Sequence, residues 1–278
     1  MSLLRACSGL VLLIATTASA QPQAAPTYEL YAVRYATIPG FSVRSLVAGA
    51  DTSRRMDIAM SVWLIRGSNR TVLVDAGFYR DKFVQRWKPT NFVTPAEAVR
   101  LAGVKPEDVT DIIVTHVHWD HADGVDMFPK ARVWIQKDEY QHHIGPGGET
   151  RDVAIDDEVA RMLASLSKAG RVQQVNGDST EIIPGITVFT GGKHTFGSQY
   201  ATVRTTNGTA VIASDNLYLY ENLDKRRPIA QTLDSLSNLR AQDRMKRLAS
   251  HPRLIVPGHD PAVFTRFESL ANGVVRIQ

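Results

Sequence analysis

The chain has 278 residues, of which 44% are hydrophobic and 22% are charged, and its formal net charge is +4. This composition excludes a collagen, a coiled coil and a disordered tail, and the length suffices for a buried core. Lys and Arg are scattered along the chain, which argues against nucleic acid as a partner because that function needs clustered basic residues. The single cysteine, Cys7, excludes an internal disulfide and a cysteine-rich metal site, so the eight histidines are the metal-binding residues to follow.

Residues 1–20 have the pattern of a secretory signal peptide. Arg5 precedes the short apolar run 10–15, and Ala18, Ser19 and Ala20 are the small residues of a cleavage site. The apolar run is too short to span a bilayer, so we expect no stable membrane insertion after cleavage. A membrane anchor or a disordered leader is the alternative. Cleavage would leave residues 21–278 as one cysteine-free domain in the periplasm or outside the cell.

Short apolar strands alternate with amphipathic helices along the rest of the chain. The turn residues Gly67, Ser68 and Asn69 predict a hairpin between the strands on either side. Thr94, Pro95 and Glu97 have the pattern of a capped helix start. The predicted strands are residues 61–65, 71–75, 111–115, 131–136, 186–190, 201–205, 209–214 and 254–256. The predicted helices are residues 94–103, 156–169, 232–249 and 261–270. Two sheets with helices outside would bury this pattern, which indicates a mixed α/β fold.

Four potential metal ligands occur within six residues, directly after the predicted strand 111–115. They are His116, His118, Asp120 and His121. In an extended segment the side chains of His116 and His118 point to the same side, so both can bind one ion. Asp120 and His121 then lie in the following turn, where they can reach a second ion. Imidazoles and carboxylates suit zinc and related divalent cations.

Three further potential ligands follow the ends of later predicted strands. They are His194, Asp215 and His259, each beside a small or turn residue. Binding sites of layered α/β proteins gather at such loops. Taken singly, the three could be a core histidine, a helix cap and a loop residue. Their joint occurrence after the first cluster favours a metal site.

The motif His-x-His-x-Asp-His, together with the three downstream residues, resembles the metallo-β-lactamase superfamily. Asp75 resembles the early Asp-x-Gly of that superfamily, and the motifs run from Asp75 to Asp260. The resemblance implies a single domain with a four-layer αββα sandwich and a dinuclear site between its sheets. It implies one metal held by His116, His118 and His194, and another held by Asp120, His121 and His259, with Asp215 bridging them.

The same resemblance implies two divalent metal ions as cofactors, Zn²⁺ above all, with Co²⁺, Mn²⁺ or Fe²⁺ as alternatives. Asp75 and Asp260 are expected to support the ligands by hydrogen bonds, since ligating imidazoles need a partner for their other nitrogen. For Asp260 an equal alternative is a cap on the helix predicted to begin at Pro261.

Within the superfamily, the chain is similar to the N-acyl-homoserine lactonases of the quorum-quenching group. Tyr218 follows Asp215 by three residues, an offset at which a tyrosine of those enzymes contacts the substrate carbonyl. The antibiotic-hydrolysing members generally lack the bridging carboxylate. The resemblance therefore implies a metal-dependent hydrolase acting on a small-molecule lactone or ester, with Asp120 and Tyr218 as catalytic residues. Candidate pocket residues are Phe41, Met56 and Trp119.

Two segments are this chain's own and are expected to overhang the pocket, residues 34–56 and residues 145–148. Trp119 stands where these lactonases more often have Phe or Leu. The alternative functions are a periplasmic β-lactamase, a broad-specificity esterase, a glyoxalase II-like thioesterase and a metal-binding protein without turnover. The sequence leaves open the acyl-chain preference, the native metal, the destination after export and the oligomeric state, for which a homodimer is one possibility.

Overall fold

The computed structural model describes residues 26–278, so the predicted signal segment 1–20 lies outside the described residues. Within them, strands form one sheet of eight and one of five. The strands are β1 (Glu29–Ser42), β2 (Arg55–Gly67), β3 (Arg70–Val74), β4 (Asp111–Ile113), β5 (Arg132–Gln136), β6 (Val172–Val175), β7 (Thr180–Ile183), β8 (Ile186–Thr190), β9 (Gln199–Thr205), β10 (Gly208–Ser214), β11 (Ile255–Pro257), β12 (Glu268–Ala271) and β13 (Val274–Ile277). The helices are α1 (Asp81–Trp87), α2 (Pro95–Leu101), α3 (Trp119–Ala122), α4 (Lys137–His143), α5 (Asp157–Lys168), α6 (Tyr220–Asp224), α7 (Ser235–Leu248) and α8 (Val263–Arg266). None of the helices in this range has the length and apolar character needed to cross a bilayer.

The two sheets stack face to face, and helices cover their outer faces. The strand order is β12-β13-β1-β2-β3-β4-β5-β6 in the larger sheet and β11-β10-β9-β8-β7 in the smaller one. Along β2, Trp63 and Ile65 enter the core between the sheets, whereas Val62 and Leu64 pack beneath the helices, as the alternation of side chains requires. Helices α2 and α5 cover the larger sheet, and α7 covers the smaller one. The predicted four-layer αββα sandwich is confirmed.

Parallel strands bring the site loops to one edge of the sandwich. Strands β3, β4 and β5 are parallel neighbours in the larger sheet. In the smaller sheet β8, β10 and β11 share one direction, because β10 is parallel to β11 and antiparallel to β9, which is antiparallel to β8. The backbone N–H of Gln199 donates to the Thr115 carbonyl across the two sheets at 2.8 Å. The carboxyl ends of both strand groups therefore face one crevice.

Local turn and cap chemistry confirms several predicted elements. Strands β2 and β3 form the predicted hairpin, and Ser68 and Asn69 have φ of 51° and 57°, as a tight two-residue turn requires. Thr94 and Glu97 form a reciprocal capping box at the start of α2. Asp156 accepts hydrogen bonds from the first turn of α5.

The predicted helix over 261–270 is confirmed only over residues 263–266. Helix α8 ends at Arg266, and β12 and β13 follow as an antiparallel pair. Gly273, with φ of 75°, makes the turn between them. Strand β1 was not predicted, and residues 34–42 of the segment expected at the pocket belong to it, with Ile38 and Phe41 lining the cavity. Its core segment is buried on both faces, so the alternation that signals a strand is absent there.

Candidate metal centre

Asp75 holds the loops of the site together. Its carboxylate accepts hydrogen bonds from the Thr115 backbone at 2.8 Å, the Thr115 hydroxyl at 3.0 Å and the Ser214 hydroxyl at 2.8 Å, and it contacts His121 Nδ1 at 2.8 Å. Asp75 and Ser214 have φ of 60° and 46°. Such left-handed conformations in residues other than glycine cost on the order of 1–3 kcal/mol and persist where surrounding contacts enforce them.

Three histidines converge on one point. His118 Nδ1 lies 3.1 Å from His116 Nε2 and 3.0 Å from His194 Nε2. His116 and His118 come from the segment after β4, and His194 comes from the loop after β8. The potential ligand atoms of these histidines and of Asp215 all lie within 4.8 Å of one another.

A second group lies beside the first. The potential ligand atoms of Asp120, His121 and His259 also lie within 4.8 Å of one another. Asp120 Oδ2 is 3.5 Å from His121 Nε2 and 3.8 Å from His259 Nε2. His259 follows β11, so this group also draws on both sheets.

Asp215 lies between the two groups and faces both. Its Oδ1 is 2.9 Å from His259 Nε2 and 3.2 Å from His121 Nε2. Its Oδ2 is 3.3 Å from His194 Nε2 and 3.6 Å from His116 Nε2. The structure therefore brings together all seven side chains of the predicted ligand set, with Asp215 in the bridging position.

The hydrogen-bond pattern of the site fits metal cations. His194 Nδ1 donates to the Gln231 carbonyl at 2.8 Å, and His259 Nδ1 donates to the Ala59 carbonyl at 3.1 Å. With the proton on Nδ1, Nε2 of each ring faces into the site, where the neutral form of the ring presents a lone pair. Among the described residues, His121 Nε2 and Asp215 Oδ1 are buried and make no well-aligned hydrogen bond, although they lie 3.2 Å apart. Lone pairs and carboxylate oxygens that converge in this way suit a divalent cation.

The two groups differ in their electrostatics. Burial lowers the pKa of His194, lowers that of His118 to about 4 and holds that of His116 well below its usual value. Burial acts the same way on His121, but the charges of Asp215, Asp120 and Asp75 outweigh it and raise its pKa well above the usual value. The first group is therefore neutral, and the second is a place where the protein favours positive charge.

Tyr218 lies at the border of the site. Its hydroxyl is 3.3 Å from His194 Nδ1. That nitrogen carries the proton that it donates to Gln231, so the tyrosine oxygen accepts there and its own proton is free to point into the cavity. Burial and the charges of Asp215 and Asp120 hold the pKa of Tyr218 well above its usual value, so the phenol remains a donor. Tyr220, in contrast, packs in the core between the sheets.

A cavity of about 250 Å³ lies over the ligands. Phe41 and Trp119 line it, as predicted, but Met56 does not and instead packs half-buried against the outer core. Residues 145–148 do not line it either, so the expected overhang there is wrong, and Ala154 of the same connection lines it instead. The rings of Trp87 and Trp119 stack with centroids 5.4 Å apart.

Asp260 serves the backbone rather than a ligand. Its carboxylate accepts hydrogen bonds from the Ala262 N–H at 2.8 Å and the Tyr220 N–H at 2.9 Å. The ring of His259 has the Ala59 carbonyl as its partner instead. Asp260 therefore supports the turn before α8, whose own N-cap is Ala262, and the same side chain joins the loop after β11 to the start of α6.

Sequence reasoning missed several residues at or near the site, among them Trp87, Gln231 and Glu139. Trp87 and Gln231 line the cavity, and Glu139 is buried directly behind the histidine loops. Glu139 follows β5, the third of the parallel strands, so its place after a strand end was the signal available. His143 is also buried, while its neighbour His142 is exposed and stacks on Phe196.

Known proteins share both the sequence pattern and the fold. The chain is 30% identical over 101 residues to the N-acyl homoserine lactonase AiiB of Agrobacterium fabrum, covering 32% of this chain and 37% of that protein. It is 24% identical over 178 residues to the N-acyl homoserine lactonase AttM of Rhizobium radiobacter, covering 62% of this chain and 66% of that protein. The matches thus span about a third to two thirds of these relatives.

A crystal structure of a quorum-quenching N-acyl homoserine lactone lactonase superposes with a TM-score of 0.72 at 20% identity, over 87% of this chain and 96% of that one. At that identity the likeness establishes the fold. The family model of the metallo-beta-lactamase superfamily matches residues 58–259, which include every potential metal ligand described above. The chain therefore belongs to the metallo-beta-lactamase superfamily.

Proposed function

We propose that the protein is a dinuclear metal-dependent hydrolase that opens lactone rings, with an N-acyl-homoserine lactone as its substrate. The observation that carries the proposal is the position of Asp215 between two ligand groups, in a partly apolar cavity that Tyr218 also lines. The names of the AiiB and AttM relatives support the same substrate class. Zn²⁺ is the proposed metal, because it binds histidine nitrogens and carboxylate oxygens of the kind that this site presents.

A pair of divalent cations, when bound, polarises the lactone carbonyl and lowers the pKa of water at the site. Asp120 lines the cavity and is ionised, because the neighbouring His121 and His259 outweigh the effect of burial and lower its pKa. Its carboxylate is placed to take the proton from the attacking water. As the bond between the carbonyl carbon and the ring oxygen breaks, Asp120 returns that proton to the ring oxygen, which leaves as the alcohol of the product.

Tyr218 supplies the donor for the carbonyl oxygen. Negative charge grows on that oxygen as water attacks, and a fixed hydroxyl in a buried site stabilises it without reorganisation. The proton of Tyr218 is available because its oxygen, not its proton, faces His194.

The apolar part of the cavity lining, the apolar wall, suits an acyl chain. The apolar residues that line it are Ile38, Phe41, Leu46, Ile58, Met60, Trp87 and Trp119. Burying each methylene of a substrate against such a surface contributes roughly 0.8 kcal/mol. A β-lactam or a small polar ester would leave most of this wall uncovered, which favours the lactone over those alternatives.

A substrate panel tests the proposed activity. For the zinc-loaded protein we expect kcat/KM for N-acyl-homoserine lactones to rise from butanoyl to decanoyl chains, because each methylene covers apolar wall. We expect the decanoyl lactone to exceed a carbapenem, an aryl ester and a thioester by at least about tenfold, equivalent to about 1.4 kcal/mol. Faster turnover of the carbapenem would indicate that the protein is a β-lactamase and not a lactonase.

Changing Asp215→Asn tests the dinuclear site. The amide keeps the shape of the side chain but loses the charge and one acceptor oxygen, so it cannot bridge two cations. We expect elemental analysis to find close to two equivalents of zinc in the wild-type protein and fewer in the variant, with hydrolysis abolished. The exposed Asp224 provides a matched control, since Asp224→Asn should retain both metals. Wild-type protein without bound metal would contradict the proposal.

Changing Tyr218→Phe tests the oxyanion donor. Loss of such a donor costs about 2.7–4 kcal/mol, so kcat should fall roughly a hundredfold to a thousandfold while the zinc content stays the same. Tyr220→Phe is the matched control, because its buried hydroxyl has no hydrogen-bond partner among the described residues and lies away from the cavity. Equal turnover in the Tyr218 variant and the wild type would remove the residue from the mechanism.

We further propose that the protein is exported and loses residues 1–20. The support is the signal-like pattern of that segment. N-terminal sequencing of protein from the periplasmic or extracellular fraction should begin at Gln21. Recovery of the intact chain in the membrane fraction would instead indicate an anchor.

A further inference from the structure

Glu139 is a buried carboxylate outside both ligand groups, and neighbouring loops donate to it. Its Oε1 accepts from the Val117 N–H at 3.0 Å, and its Oε2 accepts from the Gly197 N–H at 2.8 Å. The Thr195 hydroxyl lies 2.8 Å from both oxygens. The side chain comes from α4, an element that contributes none of the metal ligands described above.

The donors belong to the two loops that carry the three histidines of the first group. Val117 lies between His116 and His118, and Thr195 directly follows His194. Gly197 packs so closely that a Cβ there would lie 2.3 Å from the Glu139 backbone nitrogen. One carboxylate therefore clamps the loop after β4 to the loop after β8, at the backbone of the ligand segments.

Nothing in the described part of the chain pairs Glu139 with a close cation. His143 Nε2 is 3.6 Å from Oε2, and burial lowers the pKa of His143 to about 4, so that ring is neutral at physiological pH. An apolar side chain would avoid the cost of desolvating a carboxylate at this position. Burial raises the pKa of Glu139 to about 7, although the donors from Thr195, Val117 and Gly197 oppose that shift. The acid occupies a costly position at which its hydrogen bonds fix two segments relative to each other.

We propose that Glu139 is a positioning residue that sets the spacing of His116, His118 and His194. It acts through the backbone and hydroxyl donors of their loops, and it touches no ligand ring. Asp75 has the corresponding place for the second group, where it contacts His121 directly at 2.8 Å. Each ligand group would then have its own buried carboxylate. This inference rests on the proposed metal centre.

The test replaces Glu139→Gln and measures zinc binding, not activity alone. A glutamine offers one acceptor oxygen, and its amide N–H₂ faces a donor, so either Val117 or Gly197 loses its hydrogen bond. Titration against a chromophoric chelator should show one of the two zinc equivalents weakened by about 10–100-fold and the other unchanged. The visible spectrum of the cobalt-loaded variant should change in intensity, because the coordination geometry of the three-nitrogen site changes.

Two further variants make the test decisive. Asp138→Asn carries the same charge change at the exposed neighbouring position and should bind both equivalents as the wild type does. Thr195→Val removes one donor at nearly constant shape and should weaken the same equivalent by a smaller factor, even if the glutamine variant folds poorly.

Unchanged affinity and spectrum in the Glu139 and Thr195 variants would overturn the positioning role and leave the proposed hydrolase intact. Equal weakening of both equivalents, together with a lower melting temperature of the metal-free protein, would also overturn it, since Glu139 would then support the fold in general. Wild-type protein that binds no metal would remove the proposed function itself.

Discussion

The rest of the site depends on the contacts that the buried carboxylate of Asp215 makes with four histidines. Four imidazole nitrogens surround its two oxygens at 2.9–3.6 Å, and they come from segments after β4, β8 and β11. A charge that is taken out of water is costly unless other groups or a metal compensate it. The compensating groups reach Asp215 only when the two sheets are stacked with their parallel strand ends at the same edge. Formation of the site is therefore inseparable from formation of the sandwich, and a cation bound there would stabilise the folded state.

Much of the rigidity of this edge comes from polar contacts behind the ligands. Lys193 has φ of 59°, and the left-handed residues Asp75 and Ser214 likewise end or follow strands that carry the site. These backbone conformations change the direction of the chain as it leaves the sheet. The carboxylates of Asp75 and Glu139 then hold the loops in position through hydrogen bonds. Burying a carboxylate in a core destabilises the folded state. At this edge, however, the carboxylate oxygens accept hydrogen bonds from backbone N–H groups that have no partner in a neighbouring strand.

The seven potential ligands could be named from the sequence because their signals are local. His116, His118, Asp120 and His121 are consecutive enough for chain geometry to group them, and the later three each follow a strand end. Strand β1 could not be found, since its core segment is buried on both faces and lacks alternation. Glu139 resembles any acidic residue near the start of a helix, because its partners are backbone groups of loops more than twenty residues away. The predictions for Met56 and for residues 145–148 were wrong for a related reason, since the residues that line a cavity depend on how distant segments pack.

One segment of the chain carries both potential metal ligands and part of the cavity wall, whereas elsewhere the wall and the ligands come from different elements. Trp119 lies between His118 and Asp120 in the sequence, and its ring lines the cavity and stacks on Trp87. A substitution at Trp119 therefore disturbs the wall and the backbone that carries two ligands. Trp87 at the end of α1 and Phe41 at the end of β1 reach the same wall from elements that carry no ligand. Changes in acyl-chain preference are thus accessible at those two positions without moving a metal ligand, whereas the ligand segment constrains the residue between His118 and Asp120.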